Sequence, residues 1–203
     1  MYETMIGYVQ KQQHKGVIMR MLVILGSTRQ NREGERVATW VQKKLANHPE
    51  LTIDFADLRE VKLPFYDEVD AIGGLDGHFT HDVGKQWGKR VAQADCYLMI
   101  TPEYNHGPAA VLKNAIDYAW EEWHYKPVNF VSYSGGAIAG ARATEQLRLI
   151  AIAVKLLPLN AAVHIPRVAD ALDEDGNARD EQTDKSLDSL VAELTDIAKK
   201  LRA

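Results

Sequence analysis

Apolar residues along the chain fall into two kinds of pattern, and the two alternate. Met21-Leu22-Val23-Ile24-Leu25 and Tyr97-Leu98-Met99-Ile100 are continuous apolar runs, as parallel strands buried on both faces are. Pro127 to Tyr133 reads the same way. Leu51-Thr52-Ile53-Asp54-Phe55-Ala56 alternates and suits a strand nearer a sheet edge, and Asn160 to Ile165 is a last short strand stopped by Pro166. Between these runs the apolar positions recur at helical spacing. Val37, Ala38, Val41 and Leu45 mark one helix, Val83, Trp87, Val91 and Ala94 a second, and Val111, Leu112, Ala115, Ile116 and Ala119 a third. Leu147, Ile150, Val154 and Leu157 predict a long helix over 138–157. Leu187, Leu190, Val191, Leu194, Ile197 and Leu201 predict a final one over 183–201. Strand and helix in alternation predict an α/β fold, a doubly wound five-stranded parallel sheet.

In such a sheet ligands bind beyond the carboxyl ends of the strands, and the polar residues collect there. After Leu25 comes Gly26-Ser27-Thr28-Arg29-Gln30-Asn31-Arg32-Glu33-Gly34, a glycine-flanked loop ahead of a helix. That layout presents backbone N–H groups and a positive helix end to an anion. Ser27 and Thr28 add hydroxyl donors, and Arg29 and Arg32 add charge. The loop lacks the Gly-Lys-Ser/Thr close of a nucleoside triphosphatase, and it lacks the second glycine of a dinucleotide fingerprint. After Ile100 comes Thr101-Pro102-Glu103-Tyr104-Asn105-His106, read as a stiff polar loop, with Pro108 suited to a first helical position. Tyr104 and Asn105 suit the rim of a planar heterocycle; an ordinary polar turn is the plain alternative. Ser134-Gly135-Gly136 closes the next strand with residues small enough for close backbone approach.

In the flavodoxin-like order 2-1-3-4-5 the switch point lies between the first and third strands, whose loops carry these residues. A molecule with a phosphate at one end and a planar ring at the other fits, and FMN is such a molecule.

Composition narrows the field further. The chain of 203 residues carries a net charge of −4 and has a pI near 6.0, with no electrostatic footprint for nucleic acid. No apolar run is long enough for a membrane span. The single Cys96 excludes an intrachain disulfide and reads as a buried small hydrophobe in a reducing, cytoplasmic compartment. His78, His81 and Asp82 lack the further ligands a metal site needs, so no metal is expected. Residues 1–20 show neither pattern and are expected to be an N-terminal extension, leaving 21–203 as one domain. Tyr118, Trp120, Trp123 and Tyr125 crowd the end of the third helix, as core or as cover for a partner subunit or pocket wall.

Gly26-Ser27-Thr28-Arg29, Pro102-Glu103-Tyr104-Asn105, Leu112-Lys113-Asn114-Ala115-Ile116-Asp117 and Ser134-Gly135-Gly136 together resemble the NADPH-dependent FMN reductase family. The resemblance covers nearly the whole chain from Met21. It implies a flavodoxin-like fold, tightly bound FMN, NADPH or NADH as co-substrate, a flavin, quinone or similar small acceptor, and a homodimer or homotetramer. Carried residue by residue, it implies that Ser27, Thr28, Arg29, Arg32, Gly34 and Glu35 surround the phosphate. Pro102, Glu103, Tyr104, Asn105, Ser134, Gly135 and Gly136 would border the ring. Two places depart from the family pattern: Ser or Asn is common near Arg32–Gly34, and Gly-Gly where this chain has Ala139-Gly140.

Hydride chemistry in such a protein belongs to the flavin. The expected cycle is ping-pong, needs no catalytic side chain, and is aided by backbone N–H groups of the Ser134–Gly136 loop. The rival is an electron carrier or flavin-sensing module without turnover of its own. Oxidation of NADPH by the purified protein, with free FMN and with a quinone as acceptor, separates the two.

Overall fold

The structure, a computed structural model, describes residues 18–75 and 78–202. The extension expected over 1–20 lies outside the described residues as far as residue 17. The first strand begins at Met19, two positions earlier than the apolar run suggests, because Met19 is itself fully buried.

A parallel sheet is built from β1 (Met19–Leu25), β2 (Leu51–Asp57), β3 (Cys96–Tyr104) and β5 (Pro127–Tyr133), in the order β2-β1-β3-β5. Beyond β5 the last strand is split into β6 (Leu157–Pro158) and β7 (Val163–Ile165), both parallel to β5. This is the flavodoxin-like order with a broken fifth member. The break falls after Pro158, which has no N–H to give the ladder. The carbonyls of Leu159, Asn160 and Ala161 turn instead to the Arg148 guanidinium.

Both faces of the sheet are covered, which explains the continuous apolar runs. Alternate residues of β1 point to opposite sides. Met21, Val23 and Leu25 join a core under α1 (Gly34–Leu45) and the C-terminal helix Glu181–Arg202. Leu22 and Ile24 join a second core with Trp87, Leu112, Trp123 and Leu147. The helices on that side are α3 (Asp82–Ala92), α4 (Ala110–Asp117) and α5 (Ala141–Ala153). A short α2 (Leu58–Val61) follows β2 directly. The C-terminal helix, α7, follows a one-turn α6 (Val168–Ala171). Among the described residues no helix is long and apolar enough to cross a membrane.

Two further boundaries differ from the sequence reading, and each has a local cause. Helix α5 starts at Ala141 rather than Ile138, because Ala139 (φ 58°) and Gly140 (φ 81°) are left-handed, and it stops at Ala153, just before the left-handed Lys155. Strand β3 runs through Thr101, Pro102, Glu103 and Tyr104 instead of ending at Ile100. It then folds back, pairing Glu103 with Pro108 and Tyr104 with Gly107 in the two-residue antiparallel β4 (Gly107–Pro108). Pro108 therefore lies in a hairpin, and α4 starts at Ala110.

The hairpin turns on Asn105 (φ 50°) and His106 (φ 70°). Positive φ at both central residues matches the twist of the flanking strands. Asparagine tolerates this conformation; a β-branched residue does not. Asn105→Val is expected to destabilise the protein by about 1–2 kcal/mol, whereas Asn105→Gly is neutral or mildly stabilising; thermal melts of the two variants check this.

Candidate functional site

Register places the loop ends. Leu25, the last residue of β1, stands between Asp57 of β2 and Ile100 of β3. The Gly26 N–H still bonds to the Ile100 carbonyl (2.8 Å). The Gly26–Gly34 loop thus leaves the sheet beside Asp57, and that neighbour organises it. Arg32, only 6% exposed, reaches back under the loop. Its Nη1 donates to Asp57 Oδ1 (2.8 Å) and to the Ser27 carbonyl, its Nη2 donates to Asp57 Oδ2, and Glu35 lies 3.4 Å from its Nε. Burial opposes the charge on both partners. The mutual hydrogen bonds outweigh it, raising Arg32 above and holding Asp57 below their ordinary values. Arg32, expected at the phosphate, is thereby committed to Asp57 and to the loop's own backbone.

The other loop residues divide into buried and open. Ser27 is fully buried, and its hydroxyl pairs with the Tyr104 hydroxyl at 2.9 Å, joining loop and hairpin. Thr28 and Arg29 are exposed. The Arg29 carbonyl accepts from Arg59, which also holds Glu35 (2.8 Å). Gly34 opens α1, and a Cβ there would overlap the Tyr133 hydroxyl. Helix α1 has no side-chain cap at Glu33, so its first N–H groups are free to meet an anion.

Tyr133, the last residue of β5, is the functional candidate that sequence reasoning missed. Its hydroxyl is buried beside Gly34 and close to the Ser27 hydroxyl, which is already paired with Tyr104, and it makes no well-formed hydrogen bond among the described residues. Burial pushes the phenol well above its ordinary pKa, so it is a neutral donor. A buried unpaired hydroxyl costs roughly 1–3 kcal/mol. A phosphate set at the uncapped start of α1 would satisfy it, and in this respect the residues present fit the phosphate of FMN. The signal in the sequence was a tyrosine one step before a Ser-Gly-Gly loop, which reads equally well as core.

Pro102 and Glu103 hold the hairpin at the next strand end. Pro102 is buried opposite Tyr133. The Glu103 carboxylate, 5% exposed, takes the Arg142 Nε (2.6 Å), its Nη2 and its backbone N–H (3.2 Å). It thus caps α5 from outside that helix. Burial pushes this carboxyl up, but Arg142 outweighs it and leaves the group below the usual range. Arg142 Nη1 also meets His106 Nε2 at 2.8 Å, and Gln146 donates to the His106 carbonyl (2.7 Å). Asn105 sits exposed at the tip.

The third loop is held from below. Ser132 donates to the Ala139 carbonyl (2.8 Å), so its oxygen accepts from His164 Nδ1–H at 2.7 Å. Gly140 must be glycine, because a Cβ would stand 2.8 Å from Ser132 Cβ. Ser134 folds its hydroxyl onto Gly136, while Gly135 has open space about it. Cys96 plays no part: its thiol is buried, and desolvation pushes its pKa up to about 12.

A model of the family described as NADPH-dependent FMN reductase matches residues 19–170. The chain is 35% identical to an NAD(P)H-dependent FMN reductase of Schizosaccharomyces pombe over 151 residues, 73% of this chain and 74% of that one. It is 35% identical to an NAD(P)H:quinone oxidoreductase of Solanum tuberosum, over 56% of this chain and 61% of that one. Among solved structures it is similar to FerB, an NAD(P)H:(acceptor) oxidoreductase from Paracoccus denitrificans. That likeness has a TM-score of 0.75 at 26% identity, covering 90% of this chain and 98% of that one.

Removing the carboxylate under the first loop leaves buried Arg32 with only the exposed Glu35, 3.4 Å from its Nε, as a counter-charge. Asp57→Asn is expected to cost about 3 kcal/mol, the cost of breaking a buried pair, in denaturant unfolding of the FMN-free protein. Because the folded pKa of Asp57 lies below its unfolded value, the pair's contribution is complete above about pH 4. It is lost as pH falls through the folded value. The variant should show a correspondingly shallower loss of stability in acid.

Proposed function

The chain belongs to the NADPH-dependent FMN reductase family, and we propose that FMN lies along the edge of β1, β3 and β5, phosphate in the Gly26–Gly34 loop. The protein is an FMN-dependent oxidoreductase that takes reducing equivalents from NAD(P)H and passes them to a flavin or quinone acceptor. When bound, FMN supplies the hydride chemistry. The side chains bind, orient and shield.

In this reading the free N–H groups at the start of α1, the Ser27 and Tyr133 hydroxyls and the exposed Arg29 hold the phosphate. Thr28 and Glu35 flank it, and Arg32 shapes the loop from beneath. Pro102, Glu103 and Tyr104 present the hairpin edge to the ring, with Asn105 at its tip. The backbone of Ser134, Gly135 and Gly136 offers N–H donors to the ring's polar end. Such donors stabilise negative charge where it develops without reorganising. No side-chain acid or base is assigned, and the kinetics are ping-pong.

A homodimer or homotetramer is the proposed assembly. Val69, 94% exposed, and Leu149 and Ile152 on α5 support it as apolar surface open to a second copy. The cytoplasm is the proposed compartment, consistent with one buried thiol. The observation that carries the reading is the buried Tyr133 hydroxyl, without a well-formed hydrogen bond among the described residues, beside the uncapped start of α1.

The purified protein should show a flavin spectrum and oxidise NADPH with free FMN or a quinone, giving parallel lines in double-reciprocal plots. A colourless preparation that titrates no FMN overturns the site, and intersecting lines overturn the kinetic order. Tyr133→Phe should raise the Kd for FMN by about 3–10-fold, the worth of one neutral hydrogen bond. It should leave the FMN-free protein as stable as before or more so. An unchanged Kd removes Tyr133 from the site.

A further inference from the structure

On the far side of Tyr104 from the Ser134–Gly136 loop, a cavity of about 500 Å³ opens between the tip of the first loop, α2 and the start of α4. Its floor is apolar, with Leu63 and Val111 among its residues, and its rim carries Arg29, Arg59 and Lys62. No acidic residue lines it. Arg59 is partly neutralised by Glu35. Among the described residues, neither Arg29 nor Lys62 has an ion-pair partner. Lys62 caps α2 in a left-handed conformation (φ 56°), which sets it at the turn into Leu63. Phe65, also on the wall, is exposed over most of its ring.

An apolar floor, an exposed aromatic ring and unpaired cations together suit a flat base that carries phosphate. The volume lies within the range of small-ligand sites. We infer that this cavity receives the adenosine end of the nicotinamide dinucleotide, with Lys62 set against the 2′-phosphate that distinguishes NADPH from NADH. The inference rests on the proposed placement of FMN: Tyr104 walls both spaces, so one dinucleotide can reach from the flavin ring into the cavity. Arg29 stands at their junction and serves the flavin phosphate, which leaves Lys62 as the discriminating charge. A lysine suits this task as a point charge that needs no fixed fork of donors.

The test uses the FMN-loaded enzyme with a quinone as acceptor. Adenosine 2′,5′-bisphosphate should compete with NADPH and inhibit at least about ten-fold more tightly than adenosine 5′-monophosphate, the worth of one charge-assisted contact. Lys62→Gln should raise KM for NADPH by about the same factor. It should leave kcat, FMN content and KM for NADH unchanged, and erase the difference between the two inhibitors. Unchanged selectivity between NADPH and NADH in Lys62→Gln overturns the inference, as does equal inhibition of the unaltered enzyme by the two nucleotides. Calorimetric titration of the bisphosphate separates this result from failure of the flavin reading. Binding that Lys62→Gln abolishes, in a protein that oxidises neither dinucleotide, keeps the cavity and sinks the enzyme assignment. No binding at all sinks the cavity, whatever the flavin does.

Discussion

Arg32 is a full positive charge taken out of water, and the sheet edge is arranged around keeping it ionised. Burying an ion costs several kcal/mol unless its partners are close and complete. Asp57 supplies most of that compensation only because parallel register sets the end of β2 beside the end of β1. The Ser27 carbonyl supplies another part, so the loop is folded round the guanidinium it helps to stabilise. Ion pair and loop shape are therefore one unit. Loss of the carboxylate would release the buried cation and the backbone draped over it together.

The same economy recurs at the second strand end. Glu103 is buried against Arg142, and through it the hairpin is fixed to α5 rather than to its own chain neighbours. Both formal charges nearest the sheet edge are thus matched internally. Apart from the exposed Arg29, what the edge offers outward is neutral: two hydroxyls, the uncapped start of a helix and loop backbone. Fixed dipoles of this kind hold an anion without the reorganisation that free ions would require.

Much of this was legible in the sequence because the strong signals were local. Continuous apolar runs gave the buried strands, helical spacing gave the helices, and a Gly-Ser-Thr-Arg loop before a helix gave the place where an anion site is proposed. The misses came from tertiary effects. Nothing local to Thr101–Tyr104 says strand: these residues extend β3 because they can pair back with Gly107 and Pro108. The last strand breaks because Arg148, on another element, can take its stray carbonyls. Arg32 looks like a phosphate ligand until Asp57, on a different strand, is brought beneath it. Tyr133 lies in an apolar run, and only the reach of its side chain from β5 to Gly34 of the first loop makes its hydroxyl a site candidate rather than core.

The packing of Gly34 on Tyr133 carries a consequence for sequence change. A side chain at position 34 and a phenol at position 133 compete for one volume. A serine or asparagine at position 34 therefore demands a smaller or shorter group on the strand. The order of exchange is constrained as well. The ring must shrink before the loop can acquire its side chain, since the reverse order passes through a clash. A polar side chain at this end of the sheet can thus come from the loop or from the strand, and the two solutions are separated by an intermediate that has neither.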